Sequence, residues 1–175
     1  GNKLYELMLG KSMTYTCGYW KKAKNLDDAQ TAKLDLVCKK IGLKNGDRVL
    51  DIGCGWGGFM KYAAEHYGAR CVGITVSTEQ VERGRNLTNG LDVEFRLQDY
   101  RDIPEENEFD HVVSLGMFEH VGYKNYAQFM NIVKRTLKPT GLFLLQTIGG
   151  NYSSRGNDPW IEKYIFPNSM LPSVK

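Results

Sequence analysis

The sequence predicts a doubly wound α/β fold, in which a mostly parallel sheet carries helices on both faces. Apolar segments of strand length alternate with segments whose apolar residues recur at helical spacing, which is typical of successive βαβ units. The apolar segment 48–52 runs directly into a glycine-rich turn, as the first strand of such folds does. The length of 175 residues suffices for one domain with a substantial core. We therefore expect a single domain over 1–175, with a covering segment at 1–24, a core at 25–149 and the start of a further region at 150–175.

Five strands are predicted from runs of β-branched and other apolar residues. They lie at 48–52, 70–75, 92–97, 110–115 and 141–147. Ligands of open α/β sheets bind beyond the carboxyl ends of the strands, at the point where the strand order reverses. The segments in which to look for a site are therefore 53–57, 75–80, 98–101, 115–120 and 146–149.

Four helices are predicted in the remaining intervals, at 25–41, 59–67, 78–88 and 123–137. The apolar stripe of the first helix consists of Ala29, Ala32, Leu36, Val37 and Ile41. The third begins at a capping box, with Ser77 as N-cap and Gln80 at the third helical position. The fourth is expected to end before Pro139 and Gly141.

Composition and charge exclude several classes of protein. The net charge of +3 is too small to predict nucleic-acid binding. No apolar run approaches the ~20 residues that span a bilayer, and no signal peptide is recognised. The cysteines form no C-x-x-C pair and lack zinc-ligand spacing, so we expect no metal site and a reducing cytoplasmic environment. Lys21, Lys22 and Lys24 form a local basic patch that either contacts anionic lipid or is simply solvated.

The most informative stretch is 51–58, where an acid at the end of a strand precedes a glycine-rich turn. Gly53, Gly55 and Gly58 match the dinucleotide pattern G-x-G-x-x-G, which alone is a weak signal. Asp51 discriminates between ligands, because a carboxylate at this place repels a pyrophosphate and attracts a cation. S-adenosylmethionine carries an ammonium and a sulfonium group. The order acid-x-Gly-x-Gly-x-Gly resembles the first motif of S-adenosylmethionine-dependent methyltransferases, with an ordinary glycine-rich turn as the alternative.

The ends of the second and third strands offer further groups to this cofactor. Thr75 stands where a nicotinamide site would place an acid on the ribose. Its hydroxyl and the Gln80 carboxamide can bind a ribose diol, although an ordinary strand residue and a helix cap remain open as alternatives. Asp99 is placed to accept a hydrogen bond from the adenine amine and Tyr100 to cover the ring, with a solvated polar turn as the alternative.

Four segments taken together resemble the cyclopropane-fatty-acyl-phospholipid synthases and their mycolic-acid-modifying relatives. They are 13–20, 50–58, 116–122 and 158–167. The second is shared with many methyltransferases, whereas the other three are more particular to this family. The resemblance implies a Rossmann-like S-adenosylmethionine-dependent methyltransferase core, with five parallel strands in the order 3-2-1-4-5. It also implies that the last two strands of the family are missing, so that the fifth strand is an open edge.

The resemblance implies transfer of a methylene from S-adenosylmethionine to the double bond of an unsaturated phospholipid acyl chain, which forms a cyclopropane ring. Bicarbonate is the implied base for the proton that is lost on ring closure. Glu119 matches the carboxylate that anchors this ion, and Cys17 matches the cysteine whose backbone faces it. Leu115 matches the residue whose backbone carbonyl contributes to the bicarbonate site. The positions that match cofactor contacts are Tyr15, Thr16, Gly53, Gly55, Thr75, Val76 and Gln80.

Gln146 departs from the family pattern, which has a histidine in the bicarbonate site at this position. A glutamine keeps a donor and an acceptor but can neither carry charge nor relay a proton. Either Gln146 holds bicarbonate as a neutral donor, or the site is retuned toward plain methyl transfer, another base or no activity. The family tyrosine that completes the site would lie beyond Lys175.

Other functions and several properties stay open. An ordinary methyltransferase acting on a lipid or small amine and a non-catalytic lipid- or cofactor-binding module are the main alternatives. A nicotinamide enzyme is disfavoured by Asp51 and Thr75. The substrate class predicts a cytoplasmic protein that associates peripherally with the inner membrane. We expect no nucleic-acid partner, and the protein could form a homodimer. The chain resembles the core of a longer protein, and we expect it to be less soluble than a version extended past Lys175.

Overall fold

A sheet of five parallel strands, with helices on both faces, forms the centre of the computed structural model. The structure describes residues 2–153, 156, 158–166 and 170–174. The strands are β1 (Arg48–Ile52), β2 (Arg70–Thr75), β3 (Val93–Leu97), β4 (Phe109–Leu115) and β5 (Leu137–Gln146). Their order is β3-β2-β1-β4-β5 and every pairing is parallel, which confirms the predicted topology. The order reverses between β1 and β4, so the place for a ligand is beyond the ends of these two strands.

Six helices accompany the sheet in the described part of the chain. They are α1 (Asn2–Leu9), α2 (Leu26–Lys40), α3 (Gly58–Tyr67), α4 (Thr78–Leu87), α5 (Tyr126–Thr136) and α6 (Pro159–Tyr164). The four predicted helices are confirmed as α2 to α5, with ends that differ by up to three residues. The predicted N-cap Ser77 accepts a hydrogen bond from the backbone N–H of Gln80. Helices α1 and α6 were not predicted, because both are short and lie in aromatic-rich segments without a clear helical period.

The buried face of α2 differs from the predicted apolar stripe. Ala29, Val37 and Ile41 are buried as expected, but Ala32 and Leu36 are only half-buried. The helix instead buries a broader arc that includes Leu34, Cys38 and the polar side chains of Gln30 and Lys33. The arc is broader because an N-terminal segment lies across this helix and covers its polar residues.

The junction between the fourth predicted helix and the last strand was placed wrongly. Tyr123–Asn125 forms a 3₁₀ turn before α5, and β5 starts directly after the helix at Leu137 rather than at residue 141. Phe109 pairs with Leu137 and His111 with Leu142, so the extra residues of β5 form a bulge. Pro139 lies in this bulge, where its missing N–H removes no regular ladder bond.

Two apolar layers lie on opposite faces of the sheet, because successive side chains of a strand point to opposite sides. On one face Val49 packs with Phe59 and Phe95. On the other face Leu50 packs with Phe109 and Phe129. Val49 and Leu50 belong to β1 and Phe109 to β4, so the two layers fix strands whose carboxyl ends line the cavity described below.

Strand β5 forms an edge of the sheet and pairs only with β4 among the described residues. The segment that follows it turns back on itself, and Gly150 pairs with Ser173 in an isolated bridge. The backbone N–H of Gly150 also donates to Pro172 O over 2.9 Å. These contacts lie beyond the end of β5 and leave its outer backbone groups unpaired by a described strand. The fourth motif ends at Pro167, which lies outside the described residues.

We expect the 175-residue chain to be less soluble than a version extended past Lys175 by strands that pair with β5. An apolar edge with free N–H and C=O groups is a template for pairing with a second chain. The maximum soluble concentration and light scattering of both forms measure this directly. Placing a charge at Leu142, which is 49% exposed, should improve the shorter form. Equal solubility of the two forms would show that 151–174 already protects the edge.

Candidate active site

A cavity of about 530 Å³ opens beyond the carboxyl ends of β1, β2 and β4. Its size suits a small-molecule ligand or cofactor. The cavity is lined by all ten residues that the sequence predicts as cofactor contacts, namely Tyr15, Thr16, Asp51, Gly53, Gly55, Thr75, Val76, Gln80, Asp99 and Tyr100. Of the four predicted catalytic residues, Leu115 lines it, whereas Cys17, Glu119 and Gln146 lie outside its lining. The fold therefore brings the predicted cofactor contacts together around one space.

The glycine-rich turn forms the floor of this cavity. Gly53 and Gly55 have φ angles of 81° and 56°, in the left-handed region that side chains disfavour. The backbone N–H groups of Gly53 and Cys54 both donate to Ile74 O over 3.0 Å, which ties the turn to β2. A Cβ on Gly55 would meet nothing within 4 Å. The turn therefore presents bare backbone to a ligand, as the sequence predicts.

Asp51 is a buried, incompletely paired carboxylate in the wall of the cavity. The residue is 2% exposed, and its Oδ1 has no hydrogen-bond partner among the described residues. Burial raises the pKa of Asp51 to about 7, and the ammonium group of Lys33 partly opposes this shift. The site is thus prepared for a cationic group, which would stabilise the ionised carboxylate.

An N-terminal segment, residues 12–19, lies over the cavity, and we call it the strap. Gln30 Nε2 donates to Thr14 O over 3.3 Å and to Thr16 O over 2.8 Å. Lys33 Nζ donates to Thr16 Oγ1 over 2.6 Å. Ala29 O accepts from the Tyr19 N–H over 2.9 Å. Helix α2 therefore holds the strap through two buried polar side chains and one backbone bond.

The strap also approaches the glycine turn and the end of β4 closely. A Cβ on Gly58 would lie 2.6 Å from Ser12 O and 2.7 Å from Thr14 Oγ1. A Cβ on Gly116 would collide with the methyl group of Thr16. Both glycines are thus required for the strap to reach its place. Cys17 follows Thr16 in the strap and is exposed.

Thr75 and Gln80 form a single hydrogen-bonded unit at the end of β2. Thr75 Oγ1 donates to Gln80 Oε1 over 2.6 Å and accepts from the Ser77 N–H over 3.2 Å. The two sequence interpretations are therefore compatible, because Gln80 takes part in the helix cap through its backbone and holds Thr75 through its side chain. The Gln80 amide N–H₂ keeps its donors for a ligand. Val76 follows and is 76% exposed.

Asp99 and Tyr100 form the wall beyond β3. Asp99 caps the 3₁₀ turn Tyr100–Asp102 by accepting from the Arg101 N–H over 2.9 Å. Its carboxylate also accepts from the Arg101 guanidinium over 2.9 and 2.7 Å, which lowers the pKa of Asp99. The ring of Tyr100 meets Phe129 edge-on, with centroids 5.3 Å apart. Asp99 is therefore an ionised acceptor with a fixed orientation, which the sequence pattern did not reveal.

Glu119 and Gln146 each keep a buried oxygen without a partner in the described part of the chain. Glu119 is 7% exposed, its Oε1 accepts from the Ile148 N–H over 2.7 Å, and its Oε2 is unpaired. Gln146 Oε1 is also unpaired, while Gln146 O accepts from the Gly116 N–H over 2.8 Å. Gln146 stands in register with Leu115, which lines the cavity. Two unsatisfied acceptors thus lie beside the cavity wall, where buried polar atoms normally have partners.

Aromatic rings extend from α1 across the mouth of the cavity. The ring of Tyr5 lies 5.1 Å from Trp56 and 5.4 Å from Tyr15, measured between centroids. Tyr15 lies 6.1 Å from Phe166, which also meets His120 at 5.4 Å. Tyr5 was not predicted because its sequence neighbourhood carries no motif, and Phe166 lies in the family segment 158–167 but was assigned no role in the site. Aromatic faces attract positive charge, which suits a cationic ligand or intermediate.

The described residues provide neither a metal-binding cluster nor a membrane-spanning helix. Among the described residues, no group of three or more His, Cys, Asp or Glu side chains is arranged to hold a metal ion. In the same part of the chain, every helix is too short or too polar to cross a bilayer.

The sequence is similar to known lipid-modifying enzymes over its full extent. The family model for mycolic acid cyclopropane synthetase matches residues 1–175. The chain is 54% identical over 175 residues to cyclopropane-fatty-acyl-phospholipid synthase of Escherichia coli strain K12, covering 100% of this chain and 45% of the relative. It is 40% identical over 185 residues to a probable fatty acid methyltransferase of Pseudomonas putida, covering 99% and 46%. The chain thus spans about half the length of these curated relatives.

Solved structures show the same fold. The cyclopropane synthase MmaA2 from Mycobacterium tuberculosis has a TM-score of 0.90 at 31% identity, over 99% of this chain and 67% of that one. Mycolic acid cyclopropane synthase CmaA1, complexed with SAH and CTAB, has a TM-score of 0.89 at 34% identity, with the same coverage. Coclaurine N-methyltransferase, bound to N-methylheliamine and SAH, has a TM-score of 0.86 at 29% identity, over 99% and 55%.

Proposed function

Because this chain belongs to the mycolic acid cyclopropane synthetase family, we propose that the protein converts unsaturated phospholipid acyl chains into cyclopropane derivatives with a methylene from S-adenosylmethionine. Family membership confirms the resemblance found in the sequence. The observation that carries the proposal is the cavity at the switch point, which combines the Asp51 carboxylate with the nearby unsatisfied oxygens of Glu119 and Gln146. The Asp51 carboxylate suits a cationic cofactor. The oxygens of Glu119 and Gln146 suit a small ion that donates an O–H to them and acts as the base.

The residues around the cavity fit S-adenosylmethionine, which supplies an electrophilic methyl group on a sulfonium when it is bound. Asp51 would hold the ammonium of the amino-acid part. Thr75 and Gln80 would bind the ribose hydroxyls without charge. Asp99 would accept from the adenine amine, with Tyr100 against the ring. The unpaired Oδ1 of Asp51 and the open space above Gly55 support this fit.

Glu119 and Gln146 also fit a bicarbonate ion as the base. Bicarbonate has one O–H to donate, and Glu119 Oε2 is a buried acceptor without a partner in the described chain. The Ile148 N–H fixes the other carboxylate oxygen, so Glu119 can present Oε2 in one orientation. The Gln146 carboxamide can donate to an anion and can also accept from its O–H.

Plain methyl transfer to a lipid or a small amine is the second candidate function. Gln146 favours it, because a glutamine cannot relay the proton that ring closure releases. The fold of this chain is also similar to that of coclaurine N-methyltransferase, which by its name transfers a methyl group to nitrogen. A non-catalytic binding module is the remaining alternative.

We further propose that the protein works on acyl chains at the inner membrane surface, from the cytoplasm, with a homodimer left open. Tyr19 and Trp20 are 40% and 55% exposed and directly precede the basic residues Lys21 and Lys22. Exposed aromatic rings beside lysines suit the interface of an anionic membrane. The small net charge of +3 gives no support to nucleic acid as a partner.

The proposed function is tested by supplying the full-length protein with S-adenosylmethionine that carries a trideuterated methyl group and with unsaturated phospholipid vesicles. Mass spectrometry of the acyl chains then counts the retained deuterium. Loss of the alkene with two deuterons kept is expected, because ring closure removes one deuteron from the former methyl group. Three deuterons kept would establish plain methyl transfer instead. No label in the lipid, while the cofactor still binds, would support the binding module.

A further inference from the structure

Lys33 is a buried ammonium group next to the cavity, in a position that the proposed chemistry does not use. The residue is 6% exposed, and its Nζ donates to Thr16 Oγ1 over 2.6 Å. Burying a cation is unfavourable unless it is paired, and burial lowers the pKa of Lys33 to about 8. The Asp51 carboxylate attracts this ammonium and partly offsets the cost. A buried charge at this place points to a function beyond packing.

The hydrogen bond between Lys33 and Thr16 has a fixed direction. An ammonium group has donors but no acceptor, so Thr16 Oγ1 must be the acceptor in this bond. The hydroxyl hydrogen of Thr16 is then left for another partner. In the part of the chain that the structure describes, Thr16 Oγ1 makes no bond as a donor, and Thr16 lines the cavity.

The strap is also held in place next to this hydroxyl. Gln30 is 3% exposed and lies one helical turn before Lys33, and its Nε2 donates to Thr16 O over 2.8 Å. The methyl group of Thr16 packs against Gly116, where a Cβ would collide with it. With its carbonyl, methyl and hydroxyl all held, Thr16 has little freedom to turn away from the cavity.

We infer that Lys33 is a positioning residue, which orients the Thr16 hydroxyl as a donor to an anionic group in the cavity. The cavity then offers complementary groups to both ends of an amino acid. Asp51 would bind the ammonium of the ligand, and the Thr16 hydroxyl, oriented by Lys33, would bind its carboxylate. The inference rests on the proposed function, since S-adenosylmethionine carries such an amino-acid part. It deepens that function by assigning the carboxylate of the cofactor to the Thr16 side of the cavity.

A pair of ligands that differ only in the carboxylate tests this assignment. Isothermal titration would compare S-adenosylhomocysteine with its decarboxylated analogue on the wild-type protein and on Lys33→Met. Loss of a charge-assisted hydrogen bond should weaken binding of S-adenosylhomocysteine by about 10- to 100-fold and that of the analogue by less than about 2-fold. Lys40→Met, at an exposed site of the same helix, is the matched control and should leave both affinities unchanged.

A second variant keeps the test decisive if Lys33→Met folds poorly. Thr16→Val removes the hydroxyl and should reproduce the selective loss, while the double variant should lose no more than either single one. Equal losses for both ligands, or additive losses in the double variant, would overturn the inference and leave Lys33 a structural residue. Failure of the wild-type protein to bind either ligand would instead contradict the proposed cofactor, which keeps the two proposals distinguishable.

Discussion

Glu119→Gln is expected to lower the kcat of cyclopropane formation by about 100-fold or more, with little change in cofactor affinity. Glu119 Oε1 accepts from the Ile148 N–H over 2.7 Å, and an amide oxygen can keep this bond. The substitution then places an N–H₂ group where the unpaired Oε2 stands. That group cannot accept the O–H of a bicarbonate ion, so the base loses its anchor. The measurement is kcat for ring formation, next to the Kd of S-adenosylhomocysteine.

The matched variant is Gln146→His, which restores the residue that the family resemblance places in this site. We expect it to retain or raise turnover, because an imidazole can donate to an anion and also carry charge. Glu162→Gln, on the exposed helix α6, is the control for a lost carboxylate and should leave the rate unchanged. If Glu119→Gln left the rate unchanged, the bicarbonate assignment would be wrong. In that case the two unsatisfied oxygens would serve another role in the fold.

Local sequence signals were enough to predict the centre of this fold. The acid, the glycines and the strand before them are neighbours in the chain, so the pattern at 51–58 places Asp51 and the turn without any long-range information. Alternating apolar segments predicted the strands for the same reason. The order of the strands came from the family resemblance, and the pairing of β1 with β2 and β4 confirms it.

The parts that were missed depend on contacts between distant segments. Gln30 and Lys33 have the composition of a solvated helix face, and only the strap, 14 to 17 residues away in the chain, makes them buried. Pro139 signals the end of a helix locally, yet pairing with β4 places it in a bulge of a strand. Asp99 was predicted as an acceptor for the adenine amine, and the sequence did not reveal its Arg101 partner, which depends on the turn that the chain forms there.

The affinity for S-adenosylhomocysteine is expected to rise about 10-fold per pH unit up to about pH 7 and to level off between about pH 7 and pH 8, above which the Lys33 ammonium deprotonates. The ligand ammonium needs the ionised form of Asp51, and burial raises the pKa of this carboxyl to about 7. Below that value a proton must leave Asp51 before the ligand binds. Of the groups that face Asp51, Lys33 has a pKa of about 8 and titrates mainly above this window, and burial raises the pKa values of Cys54 and Cys71 well beyond it.

Without ligand, the Asp51 contribution to the free energy of unfolding should fall as the pH rises, whereas the affinity for the ligand rises. An aspartate in the unfolded chain ionises near pH 4, whereas folded Asp51 holds its proton up to about pH 7. The folded state therefore binds more protons between these values, and this group lowers the free energy of unfolding as the pH rises through the window. Saturating ligand should reverse that loss, because its ammonium stabilises the ionised carboxylate. Thermal melts with and without S-adenosylhomocysteine measure both trends.

Asp51→Asn provides the control for both pH effects. The amide keeps the shape of the side chain but has no charge, so the variant should bind the ligand weakly and with the same affinity at every pH from about 5.5 to 7.5. 5′-Methylthioadenosine lacks the ammonium and should bind the wild-type protein without this pH dependence. A flat profile for S-adenosylhomocysteine on the wild-type protein would contradict the pairing of its ammonium with Asp51. The carboxylate at the end of β1 would then fix the glycine turn rather than select a cationic cofactor.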